Sequence, residues 1–135
     1  MKAAAWRAIL VGATLAGAAC SGAWGAPPPV GDDATFQDAR EAWRVRDKVR
    51  LATDRDALVQ ARHPLAPWAD YWYFLLRLAE TGPAEVDEFL ARWPDAYVAD
   101  RARNDWLLEL GRRKDWRTFL RIQPAFRMND RSEEH

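Results

Sequence analysis

The chain has 135 residues, of which 49% are hydrophobic and 30% charged, with 20 basic and 20 acidic side chains. A formal net charge of zero removes the usual argument for a nucleic-acid-binding protein, which needs a clustered basic excess. Two His, one Cys and no glycine-rich stretch beyond the N-terminus argue against a zinc site, a thiol enzyme or a phosphate-binding loop. The length suits one domain or part of something larger, and eight Trp are the unusual feature.

Residues 1–25 have the pattern of a secretory signal peptide. Lys2 and Arg7 give a positive start, and the run from residue 8 to residue 20 is uncharged and consists of apolar or small residues. Ala23-Trp24-Gly25 then places small residues at the −3 and −1 positions of a cleavage site. The apolar run is too short for a membrane span of about 20 residues, so we expect a soluble, exported domain.

Cys20 allows a second interpretation, in which it is the lipid-attachment residue of a lipoprotein. Gly17 stands three residues before it, where a lipobox favours Leu, so ordinary cleavage after Gly25 is the preferred hypothesis. That cleavage removes two basic residues and the only cysteine. The mature domain would then carry a small negative charge and be held together by its core rather than by disulfides.

Helical periodicity dominates the chain after a flexible linker at residues 26–32, which begins with an Ala-Pro-Pro-Pro stretch. The third predicted helix is apolar almost all round, which indicates that it packs between neighbours. The predicted helices, in chain order, are one capped by Asp32 or Asp33 and carrying Phe36, Ala39 and Trp43; a weaker one over about 54–62; one over about 66–80; one with Val86, Phe89, Leu90 and Trp93; one from Ala99 to Leu110 closed by Gly111; and one beginning at Asp115.

Three prolines, Pro64, Pro94 and Pro124, are separated by thirty residues, and their surroundings also repeat. This period, with two helices per unit, predicts an all-α superhelix (solenoid) of stacked antiparallel hairpins over residues 33–124, followed by a polar tail at 125–135. Chance similarity in a helical, Ala- and Arg-rich chain is the alternative. Because the last unit has no recognisable polar cap, we expect a longer protein or a partner to cover the open end.

Four arginines, Arg101, Arg103, Arg112 and Arg113, flank the fifth predicted helix and are candidates for contact with a glycan or a partner. The alternative is that they pair with Asp100, Asp105 and Glu109 at helical spacings. The aromatic residues could stack on sugars, but their spacing favours packing for most of them. These are the residues Trp68, Tyr71, Trp72, Tyr73, Trp93, Tyr97, Trp106 and Trp116.

No catalytic residue, cofactor site or metal site is predicted. Asp87 and Glu88 are adjacent on a helix and point in different directions, which favours a solvated face over a glycosidase pair. His63 has no Ser or Cys partner, and the two His are 72 residues apart, which offers no metal-ligand spacing.

From about Phe36 to Pro124 the chain resembles the N-terminal α-superhelical region of the soluble lytic murein transglycosylases of Gram-negative bacteria. Ala102 departs from the larger apolar residue usual there, which we interpret as a local packing change. The resemblance is carried by HPLAPWADYW at 63–72, FLARWP at 89–94, ADRARNDWL at 99–107 and LGRRKDW at 110–116.

The resemblance implies a periplasmic protein whose partner is peptidoglycan, in a family that cuts the glycan with formation of a 1,6-anhydro end. In that family the helical ring is a scaffold, and the acid that cuts belongs to a C-terminal lysozyme-like domain. These 135 residues contain no Glu-Ser pair followed by a Gly-Leu-Met-Gln type segment, so no catalytic residue is assigned and inactivity alone is expected. A standalone periplasmic repeat adaptor and a non-catalytic peptidoglycan-binding protein are the alternatives.

Overall fold

The computed structural model describes residues 27–127, and every regular element in that range is helical, which confirms the all-α class. The predicted signal peptide and most of the predicted polar tail lie outside the described residues. None of the helices between residues 27 and 127 is long and apolar enough to cross a membrane. The helices are α1 (Asp33–Arg44), α2 (Lys48–Gln60), α3 (Ala66–Arg77), α4 (Pro83–Arg92), α5 (Tyr97–Arg113) and α6 (Trp116–Ile122), followed by a 3₁₀ turn (Gln123–Ala125).

Aspartate side chains begin three of the helices. Asp32 accepts a hydrogen bond from the amide of Thr35 at 2.9 Å, as predicted for α1, and Asp115 likewise accepts from Thr118 at the start of α6. Asp47 does the same for Arg50, so α2 begins at Lys48. The predicted start near residue 54 was wrong, because the cap lies upstream of the weak apolar pattern.

The C-terminus of α5 also differs from the prediction. Gly111 is inside the helix, which continues to Arg113, and Lys114 takes the left-handed conformation with φ of 61°. The Lys114 amide bonds to the carbonyl of Gly111, and the Asp115 amide bonds to the carbonyl of Leu110. Glycine is favoured at such a position but is not required, so the lysine ends the helix in its place.

Two buried clusters form the core, and α3 lies between them. The first joins α1, α2 and α3 around small residues; the second joins α3, α4, α5 and α6 around large aromatic and aliphatic residues. Trp72 and Trp93 pack against both clusters. The prediction that the third helix is sandwiched is therefore confirmed. The first cluster contains Ala39, Ala42, Leu51, Leu58, Ala66, Ala69 and Leu76, and the second contains Tyr71, Phe74, Val86, Phe89, Val98, Ala102, Trp106, Leu107, Leu110 and Ile122.

Gly31 places the chain against α2 just before α1 begins. Its φ is +77°, and a Cβ there would lie 2.4 Å from the carbonyl oxygen of Ala57 and 2.5 Å from the Cβ of Ala61. Only glycine combines this conformation with so close an approach. The amide of Gly31 donates to the hydroxyl of Thr35 at 3.2 Å, which ties the entry segment to the first turn of α1.

Candidate functional site

The N-terminal end of α5 presents an aromatic and charged surface. The Tyr97 side chain is 59% exposed, and its ring lies 6.1 Å from the ring of Trp68 on α3, measured between centroids. The guanidinium carbon of Arg101 lies 5.9 Å from the Tyr97 ring centroid and 5.7 Å from that of Tyr71. The Tyr97 ring is thus exposed to solvent on one side and held on the other by the Trp68 ring and the Arg101 guanidinium.

The buried Tyr71 holds Arg101 in place through a hydrogen bond. The Tyr71 hydroxyl donates to a carboxylate oxygen of Asp105 at 2.5 Å, and Arg101 Nε donates to the Tyr71 oxygen at 3.4 Å. Burial, together with the bond to Asp105, raises the pKa of Tyr71 to about 12. The phenol therefore stays protonated near neutral pH and serves as a fixed hydrogen-bonding group rather than as a base.

An open cleft of about 330 Å³ adjoins Tyr97. Arg103 faces Asp100 across 3.5 Å, and the backbone amide of Arg127 donates to Asp100 at 3.2 Å. The cleft therefore offers an aromatic ring, a carboxylate and guanidinium donors within one concavity, the combination that orients a polar ligand with apolar faces. It is lined by Asp95, Ala96, Tyr97, Asp100, Arg103, Ala125 and Arg127.

Of the four arginines singled out in the sequence, Arg101 stacks against Tyr97 and Arg103 lines the cleft that Tyr97 also lines, while the other two are engaged elsewhere. Arg112 and Arg113 both bind Glu109, at 2.5 Å and 2.6 Å, and lower the pKa of that carboxyl to about 2. Arg113 also lies over the Trp106 ring at 5.0 Å from its centroid. It donates further to the carbonyl oxygens of Leu78, Ala79 and Thr81.

Arg113 thereby ties α5 to the turn that follows α3, at residues 78–81. The alternative, in which these arginines pair with acids at helical spacings within α5, therefore holds for Arg112 and Arg113 with Glu109, and also for Arg103 with Asp100.

The aromatic residues divide by position. Tyr71 and Trp106 are buried, four others are half-buried, and Tyr97 and Trp116 are more than half exposed. Most of the set packs, as the spacing predicted, and Tyr97 is the exposed member beside charged groups. The half-buried members are Trp68, Trp72, Tyr73 and Trp93.

Sequence reasoning missed Asp70, which is 3% exposed and joins three elements. It accepts from Arg55 of α2 at 3.2 Å, from Arg92 of α4 at 2.5 Å and from Trp93 Nε1 at 2.7 Å. Its neighbours in sequence are apolar and buried. An acid between buried apolar residues is the sequence pattern that could have identified Asp70. Its partners fix α3 against α2 and α4.

A second buried acid, Asp54, also escaped the sequence reasoning. It is 4% exposed, and one of its oxygens, Oδ2, has no hydrogen-bond partner among the described residues. Burial and a shared hydrogen bond with Asp38 raise the pKa of Asp54 to about 6. Asp38 in turn is bound by Arg50, which lowers the pKa of Asp38. Leu51, Asp54 and Leu58 share one buried helical face. An acid within an apolar stripe is therefore the sequence pattern that could have revealed Asp54 as well.

His63 lies in the turn before α3. Its Nδ1 accepts from the amide of Leu65 at 3.1 Å, so its Nε2 carries the proton that it donates to Asp33 at 2.8 Å. Its ring stacks on Phe36 with centroids 6.0 Å apart. Within residues 27–127, no group of three or more His, Cys, Asp or Glu is placed to hold a metal ion.

Comparison with protein-family models, with curated proteins and with solved structures finds no match to this chain. The candidate site is therefore defined by its own geometry: the exposed ring of Tyr97, the guanidinium groups of Arg101 and Arg103, and the carboxylate of Asp100. These groups can stack on and hydrogen-bond to a polar ligand. None of them has the paired nucleophile and base that would point to covalent chemistry.

Proposed function

We propose that this chain is the N-terminal superhelical scaffold portion of a periplasmic lytic murein transglycosylase, acting in peptidoglycan cleavage and turnover. One observation carries the proposal beyond the resemblance in sequence. Pro64 and Pro94, thirty residues apart, each stand in the turn before a long central helix, and Ala69 and Ala99, five residues later, are both buried at helix packing positions. These matched positions support the proposed repeat, in which corresponding residues of successive units would pack in the same way.

The superhelix and its repeat of about thirty residues are part of this proposal. Helix α3 is contacted on one side by α1 and α2 and on the other by α5, as an inner helix of a stack would be. On α6, Trp116 is 57% exposed and Leu120 is 70% exposed. A further hairpin packed on α6 would cover these two side chains.

In this role the chain binds and holds, and the acid that cuts the glycan belongs to a separate lysozyme-like domain. The surface at Tyr97, Arg101 and Arg103 is the proposed contact with peptidoglycan. An exposed ring flanked by donors and a carboxylate suits a sugar, which has apolar ring faces and hydroxyl edges.

Sedimentation with purified insoluble peptidoglycan tests the proposal. We expect the chain to pellet with the polymer at ordinary salt, and the double variant Tyr97→Ala/Arg103→Ala to remain in the supernatant. Trp116→Ala is the matched control, because it removes an equally exposed aromatic ring away from the cleft. We also expect no release of 1,6-anhydro products by the chain alone. Absence of the wild-type chain from the pellet, or release of such products, would contradict the proposal.

A standalone periplasmic adaptor is the second candidate, and the exposed apolar side chains of α5 and α6 favour it. Leu108 is 67% exposed and Leu120 is 70% exposed, and each leaves a large apolar side chain open to a partner. The adaptor hypothesis predicts that Leu120→Glu abolishes a crosslinked complex in living cells while Tyr97→Ala leaves it intact. Sequencing the gene beyond the codon for His135 separates the two candidates, because only the scaffold hypothesis predicts a lysozyme-like domain there.

A further inference from the structure

A cavity of about 150 Å³ lies between α2, α3 and α4, away from the surface at Tyr97. Its apolar wall is made by Phe74 and Phe89, which are buried and stacked with centroids 5.2 Å apart. A second wall is the ring of Tyr73, with the guanidinium carbons of Arg55 and Arg77 at 4.4 Å and 5.4 Å from its centroid. Packed rings and stacked guanidinium groups therefore give the cavity a fixed shape.

Arginine donors in this cavity are only partly used. Asp70, at its base, accepts from one terminal nitrogen of Arg92 and one of Arg55. The side chain of Arg92 is 38% exposed, and its Nε and Nη2 have no hydrogen-bond partner in the described part of the chain. The buried Nε of Arg55 also lacks a partner there. A buried donor without a partner calls for an explanation, and a ligand near it is one.

A carboxylate at the same cavity is also unused. Glu88 lies one helical turn before Arg92 on α4, at the spacing that favours an ion pair, but Arg92 turns to Asp70 instead. No ion pair among residues 27–127 includes Glu88, whereas the neighbouring Glu85 binds Arg77 at 3.0 Å. The cavity thus offers the carboxylate of Glu88 and the remaining donors of Arg92 beside an apolar wall.

We propose that this cavity binds a small zwitterion of the amino-acid type. The ligand carboxylate binds the free edge of Arg92, the ligand ammonium binds Glu88, and the ligand side chain lies against Phe74 and Phe89. The proposal does not depend on the proposed function, because it concerns a different surface.

Charge and size both favour this class of ligand. Three guanidinium groups and three carboxylates line the cavity, so a simple anion would meet Glu88, and a simple cation would meet the arginines. A ligand that carries both charges satisfies both sides. A cavity of about 150 Å³ holds a molecule of roughly the size of benzene, which suits a small amino acid and excludes a polymer.

Titration of the ¹⁵N-labelled chain at pH 7, followed by NMR, tests the proposal. The probes are L-alanine and L-valine, with propionate and propylamine as molecules that carry only one of the two charges. We expect saturable shifts of the α3 and α4 amides with the amino acids, and at least about tenfold weaker binding of propionate and propylamine. That factor is the typical contribution of one hydrogen bond to a charged group.

Two variants and a control assign the contacts. Glu88→Gln should weaken alanine binding about tenfold, because it removes the partner of the ammonium. It should not weaken propionate binding and should strengthen it, because it also removes a negative charge that repels a simple anion. Arg92→Lys should weaken both, because it loses the free edge while keeping a positive charge for Asp70. Asp87→Asn is the control: it has the same charge change on an adjacent, exposed residue that does not line the cavity.

Three results would overturn the proposal. One is the absence of saturable shifts in α3 and α4 with either amino acid. Another is equal affinity for propionate and alanine, which would indicate a plain anion site. The third is identical alanine affinity in Glu88→Gln and Asp87→Asn. Unchanged amide spectra of the unliganded variants show that each variant is folded.

Discussion

Replacing Asp54 by Asn should stabilise the folded chain at neutral pH. In the folded state Asp54 is buried and shares a hydrogen bond with Asp38, which raises the pKa of Asp54 from 3.8 to about 6. Arg50 is drawn to Asp38, so it compensates the charge of Asp54 only weakly. At pH 7 the folded chain therefore holds an ionised carboxylate in surroundings that disfavour its charge relative to water.

The sign of the pH dependence follows from this raised pKa. Between about pH 4 and pH 6 the folded chain keeps the Asp54 proton and the unfolded chain loses it, so stability falls as pH rises through that window. One unit of difference in pKa corresponds to about 1.4 kcal/mol, so the change from 3.8 to about 6 corresponds to about 3 kcal/mol as an upper value. The lowered pKa of Asp38 acts oppositely, but only below its ordinary value of 3.8.

Urea unfolding followed by tryptophan fluorescence from pH 4.5 to pH 8 measures the effect. We expect the free energy of unfolding of the wild-type chain to fall across this range, and that of Asp54→Asn to stay nearly level and to exceed the wild type at pH 7 by about 1 to 3 kcal/mol. Asp56→Asn is the control, because its side chain is 61% exposed on the same helix. It should change stability by less than about 1 kcal/mol. A variant Asp54→Asn that is less stable than wild type at pH 7, or a wild type that gains stability from pH 5 to pH 7, would refute the reasoning.

Three further substitutions should change stability in known directions. Asp70→Ala removes the ion-pair partner of Arg92 and leaves the largely buried Arg55 with only the exposed Asp56, and we expect a loss of about 3 kcal/mol in urea unfolding, against no loss of that size for the exposed Asp87→Asn. Lys114→Gly removes the strain of a left-handed lysine, and we expect a gain of about 0.5 kcal/mol; a loss would contradict the assigned helix end. Gly31→Ala forces a Cβ against the carbonyl oxygen of Ala57, and we expect a loss of at least about 2 kcal/mol and a lower Tm; an unchanged Tm would show that the entry segment does not pack there.

Helix faces with large apolar residues were the predictable part of this fold. The third predicted helix carried aromatic and aliphatic side chains almost all round, and burial on two sides is the direct physical consequence. The helix starts at Asp32 and Asp115 were also predictable, because a short acidic side chain before an apolar periodic run can accept a hydrogen bond from a free amide of the first helical turn. Where the pattern was weak, as around Leu51 and Leu58, the upstream cap at Asp47 decided the start of α2.

The chemistry at the candidate sites was less predictable, because it depends on which helices meet. Arg101 and Arg113 look equivalent as surface arginines of one helix, yet the first lies beside an exposed ring and the second donates to carbonyls in the turn after α3. Asp70 and Asp100 are thirty residues apart and occupy equivalent places in the proposed repeat; Asp70 is 3% exposed and Asp100 is 18% exposed. The difference arises from α4 and the Trp93 turn, which cover Asp70, and a local pattern does not contain such a distant contact.

The shared position of α3 bears on how this domain can be divided. Because both core clusters use side chains from that one helix, a cut on either side of it would leave a fragment with an aromatic face open to water. We therefore expect the two core clusters to unfold together as one cooperative unit, because both depend on α3. A recombinant fragment or a fusion partner joined within this region should accordingly keep α1 through α6 together.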